Sequence, residues 1–215
     1  NKNPLDRHRI YSFLQYFKNS NIPCFGIEPT AGPTFRAREI GLEVIEEFFG
    51  EDLATDLAEK NRQADLMIAN NVLAHVPDIN DFVKGFSILL KPQGIATFEF
   101  PHLLNLLNLN QFDTIYHEHY SYLSLTAVQS IFEMNGLSIF DVEELTTHGG
   151  SLRVYAQIGD FGANIKSKEV IMLEKKEDKS KCTMISRGKK RPCDWREGAE
   201  KMIAAKKRAR KECGG

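Results

Sequence analysis

Apolar and polar positions along residues 22 to 158 follow two different periods, and the switches between them mark out elements. IPCFGIEP (22 to 29) is a short apolar run ending at an acid, which predicts a strand. FRAREIGLEVIEEFF (35 to 49) predicts a helix that leads into a second strand at 43 to 48, and DLATDLAEKN (52 to 61) has helical spacing. ADLMIANNV (64 to 72) reads as a buried strand. INDFVKGFSILL (79 to 90) reads as a helix stopped by Lys91-Pro92-Gln93-Gly94, and GIATFEFP (94 to 101) as another strand. Later, LTAVQSIFEMNG (125 to 136) predicts a short helix ending at Gly136. Two strands follow, LSIFDVEEL (137 to 145) and SLRVYAQI (151 to 158), joined by TTHGG.

Strands that alternate with helices of about 10 to 15 residues argue for a parallel sheet. The expected fold is therefore α/β, a doubly wound Rossmann-like sheet, mostly parallel, closed by an antiparallel hairpin. Ligands of such sheets bind at the carboxyl ends of the strands. Glu28 stands where an acid takes a ribose diol, Asn70, Asn71 and His75 follow the strand DLMIA, and His102 follows TFEF. Any one of them alone could be a loop residue that only caps its surroundings. A dinucleotide or S-adenosylmethionine fold also carries a glycine-rich turn some 15 to 20 residues before its ribose acid, since only glycine lets backbone N–H groups approach the ligand closely. Here the first glycine is Gly26.

At 215 residues and 42% apolar content the chain can bury a core in one domain, or in one domain with an appendage. It has no run of about 18 apolar residues for a membrane span. No signal segment stands at its start, so the expected address is the cytoplasm. The net charge of -1 hides an asymmetry. Residues 166 to 215 hold 17 Lys and Arg against 8 Asp and Glu, and of the totals of 28 and 29 this leaves 11 against 21 for the rest. A core over 1 to 160 is thus expected to precede a basic, divergent segment over 161 to 215, helical or disordered. GKKRP (188 to 192) and AAKKRARKE (204 to 212) could touch nucleic acid, but Trp195 stands nearly alone there as an aromatic, so nucleic acid is not the expected partner. Cys24, Cys182, Cys193 and Cys213 form no C-x-x-C pair, and neither a disulfide framework nor a metal site is expected. Nothing in the sequence sets an oligomeric state.

IYHEHYSYL (115 to 123) packs two histidines, a glutamate and three tyrosines into nine positions. H-x-H is also a metal-ligand spacing, but the jelly rolls that use it need many evenly spaced short strands, not an α/β alternation. If the segment is extended, His117 and His119 share one side while Tyr116, Glu118 and Tyr120 share the other. One pocket can then hold both His119 and Glu118 only if the segment is coil. His117 is expected to be packed or hydrogen-bonded, and Tyr120 and Tyr122 to pack against the following helix. His148 lies in a turn whose glycines supply positive φ.

FGIEPT (25 to 30), ANNVLAHVPDINDFV (69 to 83), LLKPQGIATFEFPHL (89 to 103), DTIYHEHYSYLSL (113 to 125) and THGGSLRVYA (147 to 156) resemble one family. It comprises the sugar C-methyltransferases that act on nucleotide-linked 4-keto-6-deoxy sugars, whose central domain is a class I S-adenosylmethionine-dependent methyltransferase. The resemblance runs from Leu14 to Gln157, and its last two motifs are specific. It implies S-adenosylmethionine as cofactor, a nucleotide-linked keto-deoxy sugar as partner, and methylation at C3 through an enolate. Such chemistry needs a base poised near neutral pH and donors for the enolate oxygen. By resemblance His119 is the base, with Tyr116, Glu118 and His75 beside it in the sugar pocket. His117, His148 and Tyr120 then touch the substrate, and Glu28 with Asn70 or Asn71 holds the cofactor.

Family members resemble a three-part chain, with a zinc-binding domain built on cysteine pairs before the core and an α/β domain after it. No cysteine pair precedes this core, and residues 179 to 215 match nothing of the third part. The expectation is a core truncated at both ends, without its first strand and glycine-rich loop. Two alternatives accompany it: a catalytically silent remnant that keeps the fold without cofactor binding, and, more weakly, a sugar-nucleotide isomerase or epimerase that uses the same enolate.

Overall fold

The computed structural model describes residues 9 to 180. Helix α1 (Arg9–Asn19) precedes β1 (Gly26–Ile27), α2 (Ala31–Glu39), β2 (Val44–Ile45), α3 (Glu51–Glu59), β3 (Ala64–Asn70), α4 (Ile79–Leu89) and β4 (Leu90–Pro101). A short helix α5 (Leu103–Asn108), then α6 (Leu125–Met134), the hairpin β5 (Leu137–Leu145) and β6 (Ser151–Ile158), and α7 (Lys168–Lys179) follow. The basic runs at 188 to 192 and 204 to 212 and the last three cysteines lie outside the described residues.

β1 pairs in parallel with β2, and β3 in parallel with β4. β6 runs antiparallel between β4 and β5, which gives the larger sheet the order β3-β4-β6-β5. This is the expected α/β class with its antiparallel closing hairpin. Among the described residues no strand joins the β1–β2 pair to the larger sheet. Side chains make that link: Leu53, Ala54 and Leu57, one face of α3 at helical spacing, are buried, and their cluster with Leu89 gathers Phe25, Ile27 and Ile45 from one sheet and Met67 from the other.

The core lies against the face of β4 that carries Ala96, Phe98 and Phe100. Phe98 stacks between Phe86 of α4, at 4.5 Å, and Phe132 of α6, at 4.7 Å. Local chemistry sets the helix ends. Asp78 caps α4 by accepting from the N–H groups of Asn80 and Asp81, both at 3.0 Å, and Ser124 caps α6 by accepting from Ala127 N–H at 3.1 Å. Gly136, at φ +85°, stops α6 as its sequence predicts.

Three boundaries differ from the sequence reading. The helix expected from Phe35 up to the strand at 43 to 48 starts earlier, at Ala31, and ends by Glu39, because Gly41 turns the chain at φ +75°; the strand itself forms as β2, inside the expected span. The strand expected from Gly94 begins directly after α4, at Leu90, and Pro92, which has no N–H to give the ladder, falls where the pairing with β3 is irregular. Past residue 160, α7 buries Val170 and Leu173 in the same core as the sheet. Phe98→Ala is expected to cost about 3–5 kcal/mol of unfolding free energy in urea, whereas Phe48→Ala, at an 82% exposed residue, should stay within about 0.5 kcal/mol.

Candidate active site

The sheet register places Asn70, Glu99, Arg153 and Glu143 in one row across four strands. Glu99, only 3% exposed, accepts from Arg153 Nη2 at 3.0 Å and from the Thr147 hydroxyl at 3.3 Å. Its backbone carbonyl takes the N–H of Asn71 at 2.7 Å. Asn71 sits at φ +56°, a left-handed conformation that asparagine tolerates. Burial works against charge on the Arg153 guanidinium, but its hydrogen bonds to Glu99 and Tyr155, with the carboxylates of Glu99 and Glu143, raise its pKa all the same. Asn70 Oδ1 is buried and has no hydrogen-bond partner among the described residues. Glu28, just past β1, accepts from Thr30 N–H at 3.0 Å and from the Thr30 hydroxyl through one oxygen, Oε1, and Thr34 donates its hydroxyl to the Glu28 carbonyl at 3.1 Å. Those bonds tie the acid to the first turn of α2 and leave Oε2 without a partner among the described residues.

The histidine-rich segment is a turn and not a strand. His119 N–H donates to the Tyr116 carbonyl at 3.1 Å, which brings the two side chains together with ring centroids 4.3 Å apart. His119 Nδ1 lies 2.9 Å from the Thr114 carbonyl, which can only accept, so Nδ1 carries the proton. In that tautomer Nε2 is an acceptor, and the Tyr116 hydroxyl lies 3.1 Å from it as the donor. His75 ends a short 3-10 turn, Leu73–His75, and its Nδ1 donates to the Glu118 carbonyl at 2.9 Å. The rings of His75 and His119 lie 4.7 Å apart at 50°. Both imidazoles are thus held through Nδ1 by backbone carbonyls, which leaves Nε2 of each as the nitrogen directed away from the main chain. Ala74 anchors the segment, its carbonyl taking the N–H of Tyr120 at 2.9 Å and of Ser121 at 3.3 Å.

His119 lines a small pocket with Ala74, Pro101, Leu103, Leu106 and Tyr122. Burial pushes the Tyr122 phenol up. Glu118 joins this arrangement through its carbonyl, while its carboxylate is exposed. His117 and Tyr120 are exposed as well, where the sequence predicts His117 packed or bonded and Tyr120 packed against the following helix. His148 lies in the turn Thr147–Gly149, which is seated against the same region: Gln111 Nε2 donates to the Gly149 carbonyl at 2.6 Å. Gly150 there has φ +114°, a backbone conformation that side-chain-bearing residues rarely adopt, so the turn calls for glycine. Among the described residues no three of His, Cys, Asp and Glu could hold a metal ion.

His102 does not join the other candidates at the strand ends. It is buried, and its Nε2 donates at 2.8 Å to Glu177 of α7, itself without exposure. Glu177 also accepts from Leu125 N–H at 2.7 Å, Thr126 N–H at 2.9 Å and the Thr126 hydroxyl at 2.7 Å. Burial alone would raise its pKa, but these four hydrogen bonds prevail and lower it. The sequence reading missed Glu99, Arg153 and Glu177. Glu99 had a signal, a lone charge inside the apolar run ATFEFP; Glu177 had none among the charges of EKKEDK.

An acid and two asparagines at strand ends, with a pair of tautomer-locked histidines beyond them, define an α/β domain of the kind that binds its ligands at the carboxyl edge of the sheet. Residues 11–142 match the family described as a methyltransferase domain, and the chain belongs to that family. It is 37% identical over 143 residues to the C-methyltransferase NovU of Streptomyces niveus, an alignment covering 66% of this chain and 34% of that protein. The chain therefore spans about a third of the length of that relative. Two solved structures share the fold. The PH0226 protein of Pyrococcus horikoshii OT3 is 15% identical with a TM-score of 0.51, over 68% of this chain and 76% of that one. An S-adenosylmethionine-dependent methyltransferase of Mesorhizobium loti is 13% identical with a TM-score of 0.50, over 68% and 86%.

The lowered pKa of Glu177 has a direct consequence for acid stability. A carboxylate that titrates lower in the fold than its ordinary 4.5 contributes stability that is complete above that value and lost as pH falls through the folded value. Urea unfolding from about pH 7 to about pH 3 should therefore show a steeper loss in the wild type than in Glu177→Gln, which has no carboxylate there to protonate.

Proposed function

We propose that this chain carries out S-adenosylmethionine-dependent C-methylation, at C3, of a nucleotide-linked 4-keto-6-deoxyhexose. The observation that carries the reading is the His119 imidazole, fixed as a base at Nε2 and hydrogen-bonded there to a phenol. A carbon next to a ketone gives up a proton only to a base positioned against it while a donor receives the charge on oxygen. With substrate seated, the Tyr116 hydroxyl turns from Nε2 to the C4 oxygen, and the freed Nε2 takes the C3 proton. The C–H electron pair moves into the enolate, and His119 holds the proton as an imidazolium. S-adenosylmethionine, when bound, would supply a methyl group on a positively charged sulfur, which would keep the electron pair of the S–CH3 bond as C3 takes the methyl and the ketone is restored. His75, with its own Nε2 open, stands 4.7 Å from His119 as a second polar group for the sugar.

The residues at the strand ends fit that cofactor. Glu28 keeps one carboxylate oxygen for a ribose diol, and the buried, unpartnered Oδ1 of Asn70 calls for a donor such as a hydroxyl or an ammonium. The named activity of NovU supports C-methylation, and the motifs DTIYHEHYSYLSL and THGGSLRVYA support the sugar. His117, Tyr120 and His148 lie on the two turns that would border the sugar.

Calorimetric titration with S-adenosylmethionine, followed by assay of keto-sugar methylation, tests the reading. Glu28→Ala should abolish cofactor binding. His119→Gln should leave cofactor binding intact and lower methyl transfer by about 100- to 10,000-fold. Exchange of the C3 proton with solvent but no methyl transfer would turn the reading to an isomerase or epimerase; a folded chain that binds no cofactor would turn it to a silent remnant.

A further inference from the structure

Two segments wall the pocket beside His119: the junction of β4 and α5, with Pro101 and Leu103, and the stretch before α6, with Tyr122. They meet at a single parallel bridge between His102 and Leu123, where Leu103 N–H donates to the Leu123 carbonyl at 2.9 Å. Behind that bridge lies Glu177, with no exposure to solvent. One of its oxygens accepts from His102, which sits between the two lining residues of the first wall, and from Leu125 N–H, two residues past Leu123 on the second. Its other oxygen takes the N–H and the hydroxyl of Thr126.

We infer that Glu177 is a positioning residue, a clamp that grips both walls of the pocket and sets their separation. Helix capping alone does not account for it. A residue that only completed the α6 N-terminus, where Ser124 already serves Ala127, would need nothing from His102. Yet His102 spends its one bonded ring nitrogen on this carboxylate, its Nδ1 being buried without a partner. Hydrogen bonds to a buried carboxylate are short and stiff, and leaving one donor unmet there is costly, so the two walls cannot part without breaking several bonds together. α7 lies beyond the 11–142 stretch that matches the methyltransferase domain, and the clamp makes it part of the frame of the pocket. Only the identity of the pocket's ligand rests on the function proposed above.

Amide hydrogen exchange on the full chain tests the clamp, read at Leu103 against Leu125 and Thr126. Glu177→Gln should speed exchange at all three. The deciding variant is His102→Leu, which leaves Glu177 its three donors on α6 and keeps the helix capped. It should speed exchange at Leu103 by about tenfold, the loss of one charge-assisted hydrogen bond, and leave Leu125 and Thr126 nearly unchanged. His102→Leu should also raise the KM for the keto-sugar and leave S-adenosylmethionine affinity as it was. Wild-type exchange at Leu103 in His102→Leu would overturn the clamp and reduce Glu177 to a helix cap. That readout decides the matter even if Glu177→Gln does not fold, and even if the wild-type chain binds no keto-sugar, a result that would sink the proposed function alone.

Discussion

A carboxylate without water around it must collect donors from the protein, and two such carboxylates set the frame of this site. Glu99 draws on the Asn71 side-chain amide after β3, at 3.5 Å, on Thr147 in the hairpin turn and on Arg153 of β6. Glu177 draws on His102 after β4 and on the first turn of α6. These partners are remote in sequence and meet only at the carboxyl edge of the sheet. Each carboxylate has few acceptor directions, so the segments that supply donors are fixed relative to one another and not merely held near. The register of β3, β4 and β6 comes first in this chain of causes, because it places Asn70, Glu99 and Arg153 in one row. The strand end at Asn70 and Asn71 and the turn that carries His148 are both tied to that row through Glu99.

Much of the fold was legible from local pattern. SLRVYAQI alternates from end to end, and β5 and β6 took the boundaries read from the sequence although a register shift at Ile139 and Asp141 breaks the alternation of LSIFDVEEL. ADLMIAN became β3 through its apolar run LMIA, but only its Ala69 is buried, where the sequence predicts a buried strand. The misplaced boundaries lie where turn chemistry and tertiary contact compete. Lys91-Pro92-Gln93-Gly94 carries every mark of a loop, yet it lies within β4 because Leu90 already pairs with Ala64 and the irregular register absorbs the proline. α5, a six-residue run of leucine and asparagine, is too short to show a helical period. α7 keeps a weak apolar stripe under a dense cover of charge.

For the site, residue type was informative and direction was not. The concentration of histidine and tyrosine at 115 to 123 marked the segment at once. Alternation then placed His117 with His119 and set Tyr116 apart, whereas the turn does the reverse and leaves His117 outside. The contacts that hold both imidazoles are made by the carbonyls of Thr114 and Glu118. A backbone carbonyl is the same whatever residue supplies it, so no sequence pattern reveals this. Glu118 shows the limit most plainly: its carboxylate suggested the partner of a base, and its main chain is the part that bonds. His102 was marked by its place after a strand, and its partner lies 75 residues further on.

The choice of carbonyls over a carboxylate to orient His119 agrees with the chemistry proposed for it. A carboxylate on Nδ1 would stabilise the imidazolium, but it would also put a full negative charge within a few ångströms of the place where the enolate must form. In a partly desolvated pocket that repulsion opposes proton removal. A carbonyl selects the same tautomer and orients the ring with a dipole in place of a net charge. Tyr116 complements this economy of charge. Its hydroxyl lies on Nε2, so the lone pair is not left unpaired, and in the chemistry proposed above the same hydroxyl would be a neutral donor for the oxygen that becomes negative. One phenol can serve both roles because they fall at different moments, and moving it from ring to substrate requires a side-chain rotation and no rearrangement of the turn that Ala74 anchors.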